Sequence, residues 1–161
     1  MITEAQWSQA RRVVRRTIRT SLHCSIASTN PDGSPHVTPI GSLLLTEKGS
    51  ALYFDVLNSR LAANLEREPR VAIIAVDSGK RLWLRAALRG RFTGSPGIRL
   101  IGSVGPPRES TPVETGRFQR AVGPLLRTPG GKALWGSLPT VRDVTVERIQ
   151  NLNLGPLTHA L

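Results

Sequence analysis

The chain has almost none of the residues that announce a side-chain catalyst or a metal centre. Its three histidines, His23, His36 and His159, are scattered, and no HExxH, CxxC, GxSxG or Walker-type phosphate loop occurs. The eleven acidic residues include no pair suited to glycosidase-like acid and base work. Cys24 is the only cysteine, which excludes an internal disulfide. It lies in an alternating apolar stretch, the usual setting of a buried, inert thiol. No apolar run approaches the roughly 20 residues that span a bilayer. The arginine-rich start (Arg11, Arg12, Arg15, Arg16, Arg19) lacks the apolar stretch of a signal peptide. These absences predict a cytoplasmic protein with no membrane partner. Aromatic residues make up only 4% of the chain, too few for the stacking platform of a single-strand nucleic-acid binder. An enzyme so poor in nucleophiles and metal ligands would borrow its chemistry from a cofactor.

What the chain has in excess is positive charge. Lysine and arginine total 22 against 11 acids, a net charge of +11, and all but Lys48, Lys80 and Lys132 are arginine. Such a surplus suits an anionic partner, whether a phosphorylated cofactor, a membrane surface or nucleic acid, and does not choose among them. A length of 161 residues fits one domain able to bury its own core.

Thr3 followed by Gln6 makes a capping box, and Trp7, Ala10, Val14 and Ile18 recur at helical spacing, so a helix is expected over 3–20. The period then becomes alternating, with Leu22, Cys24 and Ile26 on one side of a first strand. Asn30-Pro31-Asp32-Gly33 is a turn; Pro35 to Leu45 resumes an extended pattern, and Glu47-Lys48-Gly49 reverses the chain again. Ala51 to Val56 is a third strand. Asn58 or Ser59 caps a short helix that carries Leu61 and Leu65 and ends at Pro69. Val71 to Val76 is a fourth strand. Arg81 to Phe92 alternates Leu82, Leu84, Ala86 and Leu88 against Trp83, Arg85, Ala87, Arg89 and Arg91, predicting a long fifth strand. Residues 93–111, rich in Gly, Pro and Ser, read as a mobile loop. Thr111-Pro112-Val113-Glu114 opens a helix over 112–127 with Phe118, Val122 and Leu125 inward. A last strand spans 141–149. Short connections demand antiparallel neighbours. The expectation is therefore a mainly β fold, a six-stranded antiparallel barrel with helices at its ends, closed so that no sheet edge is exposed.

One segment points at a ligand. In Phe54-Asp55-Val56-Leu57-Asn58-Ser59-Arg60 a strand ends and a helix begins, with hydroxyl, amide and guanidinium groups in its first turn. Free backbone N–H groups and the positive end of the helix dipole attract phosphate there, and Arg60 can add a bidentate contact.

The ordered set Pro35-His36-Val37-Thr38-Pro39-Ile40-Gly41, Leu52-Tyr53-Phe54, Ser59-Arg60 and Asn64 to Val71 resembles the pyridoxamine 5'-phosphate oxidase-like FMN-binding split-barrel family. The likeness covers residues 5–92 well and 141–149 more loosely. It implies a six-stranded Greek-key split barrel and a homodimer with FMN in clefts shared by the subunits. The backbone of Val37, Thr38 and Pro39, beside His36, would run along the isoalloxazine. Phe54, Asp55, Ser59 and Arg60 would hold the phosphate end, and Arg85 would face the flavin. Members of the family usually carry a lysine near the Ser-Arg pair. Leu61 stands here instead, which leaves the phosphate charge to Arg60 with Arg85 or Arg89 as helpers. The Arg-x-His substrate motif of a true pyridoxamine phosphate oxidase is missing from Asn151 to Leu161. The resemblance therefore implies an FMN-dependent oxidoreductase acting on some other small molecule. F420 in place of FMN, or a non-enzymatic haem- or nucleic-acid-binding barrel, are the competing expectations. Trp83 and Trp135 read as core or subunit-interface anchors.

Overall fold

The computed structural model describes residues 1–158, except the side chains of Val122, Leu125, Leu134 and Trp135. The expectations for Val122, Leu125, Trp135 and His159 thus lie outside what is described. The first helix, α1 (Glu4–Ser21), carries the predicted capping box and buries Trp7, Ala10, Val13, Val14 and Thr17 against the sheet. It ends at Leu22, whose left-handed backbone closes the helix. There follow β1 (Cys24–Thr29), β2 (Pro35–Ile40), a two-residue β3 (Leu44–Leu45), β4 (Ser50–Phe54), α2 (Ser59–Arg67) and β5 (Arg70–Val76). The rest comprises α3 (Lys80–Arg89), β6 (Gly97–Glu109), α4 (Pro112–Val122), α5 (Pro129–Trp135) and β7 (Thr140–Asn151), with 3-10 turns at 123–127 and 155–158.

The strands form one antiparallel sheet in the order β2-β1-β5-β6-β7-β4-β3. This is a mainly β, split-barrel-like architecture with flanking helices. It has seven strands rather than six, and it does not close: β2 and β3 are edges that do not pair with each other. The hydroxyl of Ser42, in the link between them, bridges the gap. It accepts from Phe54 N at 3.0 Å and donates to Phe54 O at 3.2 Å, fastening the end of β2 to the end of β4. Prolines 35 and 39 suit β2 because an edge strand can lack an N–H at no cost to the ladder.

Two further expectations fail. Residues 81–92 are not a strand: helix α3 spans Lys80–Arg89. The run 80–89 contains Leu, Arg and Ala and no β-branched residue, so helix propensity overrides the apparent alternation. Leu82 and Ala86 turn inward, while Leu84 and Leu88 face out. Nor are residues 93–111 a loop, for they contain β6, the longest strand, which pairs with β5 and β7. Its glycines mark close backbone approach rather than disorder: a Cβ on Gly102 would collide with the carbonyl of Thr145, at a register shift between β6 and β7.

The main core lies between α1 and the sheet, built on Trp7, Ile26, Tyr53, Ile73, Ile98 and Leu100. A smaller one joins Leu52, Phe54, Phe118, Leu138 and Val141 across β4, α4 and β7. Cys24 is buried in the main core, and burial pushes its thiol up to about 12. That agrees with an inert thiol.

Candidate functional site

Eight of the nine predicted cofactor residues come from three elements around α2. On β2, His36, Thr38 and Ile40 point toward the interior while Pro35, Val37 and Pro39 point outward, and Val37 is 62% exposed. His36 is tied into a polar chain. Its Nδ1 lies 3.4 Å from the Ser28 hydroxyl, and the buried Asn64 amide of α2 donates to Ser28 Oγ and Asn30 Oδ1, both at 3.1 Å. Arg67 donates to Thr29 O at 2.7 Å. These bonds seat α2 across the β1–β2 hairpin.

The N-terminus of α2 is left open. Asn58, at the cap position, makes no side-chain cap bond, and the preceding Leu57 holds a left-handed backbone (φ 59°) while 82% exposed. A non-glycine residue in that conformation carries a local strain of order 1 kcal/mol. Ser59 and Arg60 are exposed, and among the described residues the Arg60 side chain has no hydrogen-bond or ion-pair partner. Arg60 does reach Asp32 electrostatically. The hydrogen bonds from Ser34 come first in holding the Asp32 carboxyl below its ordinary range, and Arg60 adds to them. Leu61, in the place where a lysine was expected, is buried in the main core. Arg60 is therefore the only cation in the first turn of α2.

Phe54 and Asp55 contribute differently from expectation. The Phe54 ring is buried against Phe118, with centroids 5.2 Å apart. The Asp55 carboxylate accepts from Arg142 Nε at 2.7 Å. Arg142, its side chain only 4% exposed, also reaches Glu66 Oε1 of α2 at 3.1 Å. Burial works against the Arg142 charge, but the bonds to Asp55 and Glu66 more than restore it and raise its pKa. Arg142 thus fastens β7 to the end of β4 and to α2, holding the α2 N-terminus in place. The sequence reading missed it, although a lone arginine in the alternating run Val141 to Val146 is a usable signal. Tyr53, beside this pair, has the one buried side-chain polar atom without a partner among the described residues. Burial first, then the Asp55 charge, raises its phenol pKa.

Arg85 stands apart. It lies on α3, which follows the far end of β5 from α2, and lines a cavity of about 330 Å³ with Arg16, Arg81, Arg89 and Arg91. None of the other eight residues borders that cavity. A wider groove of about 930 Å³ runs between α1, β3 and α4, where Arg11, Arg15 and Arg19 of α1 meet Leu44, Leu52 and Phe118. Trp83, 39% exposed, rests edge-on against Phe92 and donates Nε1–H to Asp77 O at 2.7 Å. Among the described residues no cluster of three or more His, Cys, Asp or Glu could hold a metal, and no helix is long and apolar enough to cross a membrane.

Residues 10–114 match the family model described as pyridoxamine 5'-phosphate oxidase. The chain belongs to the pyridoxamine 5'-phosphate oxidase family. No curated protein sequence matches it significantly. Among solved structures it is similar to an FMN-binding protein from Syntrophomonas wolfei subsp. wolfei (12% identity, 93% of this chain and 88% of that one, TM-score 0.64). It is also similar to HutZ, the haem storage protein from Vibrio cholerae (14%, 94% and 95%, TM-score 0.56). An F420 reductase gives 18% identity, 92% and 98% coverage, and a TM-score of 0.55. At such identities the likeness is one of fold, and proteins that share a fold differ in what they bind.

Proposed function

We propose that this family member is a homodimeric FMN-binding flavoprotein, an oxidoreductase acting on a small molecule other than pyridoxamine phosphate. One observation carries the reading: the N-terminus of α2 offers uncapped first-turn amides, the Ser59 hydroxyl and an unpaired Arg60, all exposed on one corner beside an edge strand. That donor set fits a phosphate dianion. The backbone of His36 to Pro39 would border the flavin ring, and the ring would supply hydride chemistry. Phe54, Asp55 and Arg142 would act from behind, keeping the corner rigid. The free edge of β2 and the exposed Val37 support a second subunit covering the ring there. Arg85 lies on α3 and lines a separate cavity, so within one protomer Arg60 would carry the phosphate charge.

Titrating the purified protein with FMN and recording its visible spectrum tests the proposal. Saturable binding with a perturbed flavin spectrum is expected. Binding of F420 or a Soret band with haem, in place of FMN, would replace the proposed cofactor while leaving the family intact. A protein that takes up none of the three ends the cofactor reading altogether.

A further inference from the structure

The cavity beside α3 is electrostatically unbalanced. Five guanidinium groups line it, Arg16 from α1, Arg81, Arg85 and Arg89 from α3, and Arg91 just beyond, against one carboxylate, Asp77. Asp77 is buried, and its Oδ1 already accepts from Gly79 N at 2.9 Å. Among the described residues none of the five guanidiniums has a hydrogen-bond or ion-pair partner, whereas Arg67, Arg70, Arg108 and Arg142 are all bonded to carboxylates or carbonyls.

The start of helix α3 is also charged against its own stability. Its first turn holds Lys80 and Arg81 and no acid, and its cap position, Gly79, makes no side-chain bond, so two cations face the positive end of the helix dipole. Arg81, Arg85 and Arg89 repeat every four residues, a spacing at which like charges repel. The stripe runs about 12 Å along the helix. The floor is nevertheless firm. Ala86 and Phe92 are buried, Phe92 packs on Trp83, and its N–H donates to Leu157 O at 2.8 Å. A packed floor, a single carboxylate against five guanidiniums and self-repelling cations are the signature of a site arranged for a ligand rather than for the fold.

We propose that this cavity binds a small molecule bearing a chain of phosphoryl groups, at a site separate from the flavin corner. Guanidinium forks bond phosphate oxygens in bidentate fashion, and a stripe of three with Arg16 from α1 and Arg91 beyond its end suits several linked anionic groups better than one. The concave shape suits a compact polyanion rather than a duplex or a flat lipid surface. The site stands at the opposite end of β5 from Arg60, so the two can fill independently.

Isothermal titration of the full chain with inorganic triphosphate at low salt tests it. Saturable one-to-one binding is expected, weakening steeply with added salt, and weakening at least tenfold in Arg16→Ala and in Arg81→Ala, which come from different walls. FMN affinity should be the same with and without triphosphate. Absence of saturable binding, or binding untouched by both substitutions, would overturn the proposal. So would displacement of FMN by triphosphate, which would make this one site with the flavin's. Stronger retention on phosphatidylglycerol vesicles or duplex DNA than on triphosphate would overturn it in favour of a macromolecular surface, and loss of vesicle binding in Leu84→Ser would identify the lipid case.

Discussion

Arg142 and the arginines of α3 put the same group to opposite uses. Arg142 is withdrawn from water, meets two carboxylates and joins three elements. The α3 arginines are exposed, unpaired and crowded on one stripe. A buried guanidinium is tolerable only when its donors are all answered within the fold. An exposed one costs little alone, but several left unanswered around one hollow are available to something outside the chain. In a protein with twice as many cations as anions, pairing separates charge committed to architecture from charge kept for binding. Arg60, unpaired at an open helix end, falls in the second class.

The comparison breaks most directly at Arg142. Arg142→Ala strands the Asp55 carboxylate, whose side chain is 11% exposed, and should destabilise the protein by about 3–5 kcal/mol, read from urea unfolding. A loss under about 1 kcal/mol would place Arg142 with the surface arginines. Arg60→Ala should do the reverse, leaving unfolding unchanged and weakening FMN binding by about 1.5–3 kcal/mol, the worth of a charge-assisted hydrogen bond. Unchanged affinity for FMN removes Arg60 from the cofactor.

The helix α1, strands β1, β2 and β4, the position of α2 and the capping box of α4 were all legible, because each rests on local rules: capping pairs, turn dipeptides and one clean period; the cap expected from Asn58 or Ser59 does not form. The failures are non-local. In α3, Leu82 and Ala86 mimic a strand face at spacing two only if Leu84 and Leu88 are assumed buried, and nothing local says they are exposed. In β6, glycines at 97, 102 and 105 and prolines at 106 and 107 resemble a loop, although Gly97 and Gly102 are required by neighbouring segments of the same chain that the sequence does not display. Arg142 was invisible as a partner of Asp55 because 87 residues separate them. Residues 54–60 could be singled out because they form one continuous stretch, whereas the cavity could not, since its walls come from α1 and α3.

A finer test uses pH. Two bonds from Arg108, with one from the Thr111 N–H, hold the Glu114 carboxyl down at about 2. An unfolded glutamate titrates near pH 4.3, so this contribution is fully present above that value and is lost as pH falls toward 2. Arg108 is 36% exposed, and screening limits the effect to about 1 kcal/mol. Glu114→Gln should flatten the acid limb of the stability curve by that amount. An unchanged acid limb would show that the Arg108 pairs belong with the dispensable surface charges.

The smallest expected effect has the unusual sign. Arg81→Glu puts an acid in the first turn of α3, four residues before Arg85, replacing repulsion from the dipole and the stripe with attraction to both. The fold should gain about 0.3–1 kcal/mol, measured by thermal unfolding in low salt, with the gain shrinking as salt is added. Triphosphate binding should disappear in the same variant. A stabilised protein that no longer binds is what a helix charged for a ligand predicts, because native Arg81 works against the helix and for the site. If Arg81→Glu instead destabilises, the arginine was serving the fold after all, and the division between paired and unpaired cations no longer separates architecture from function.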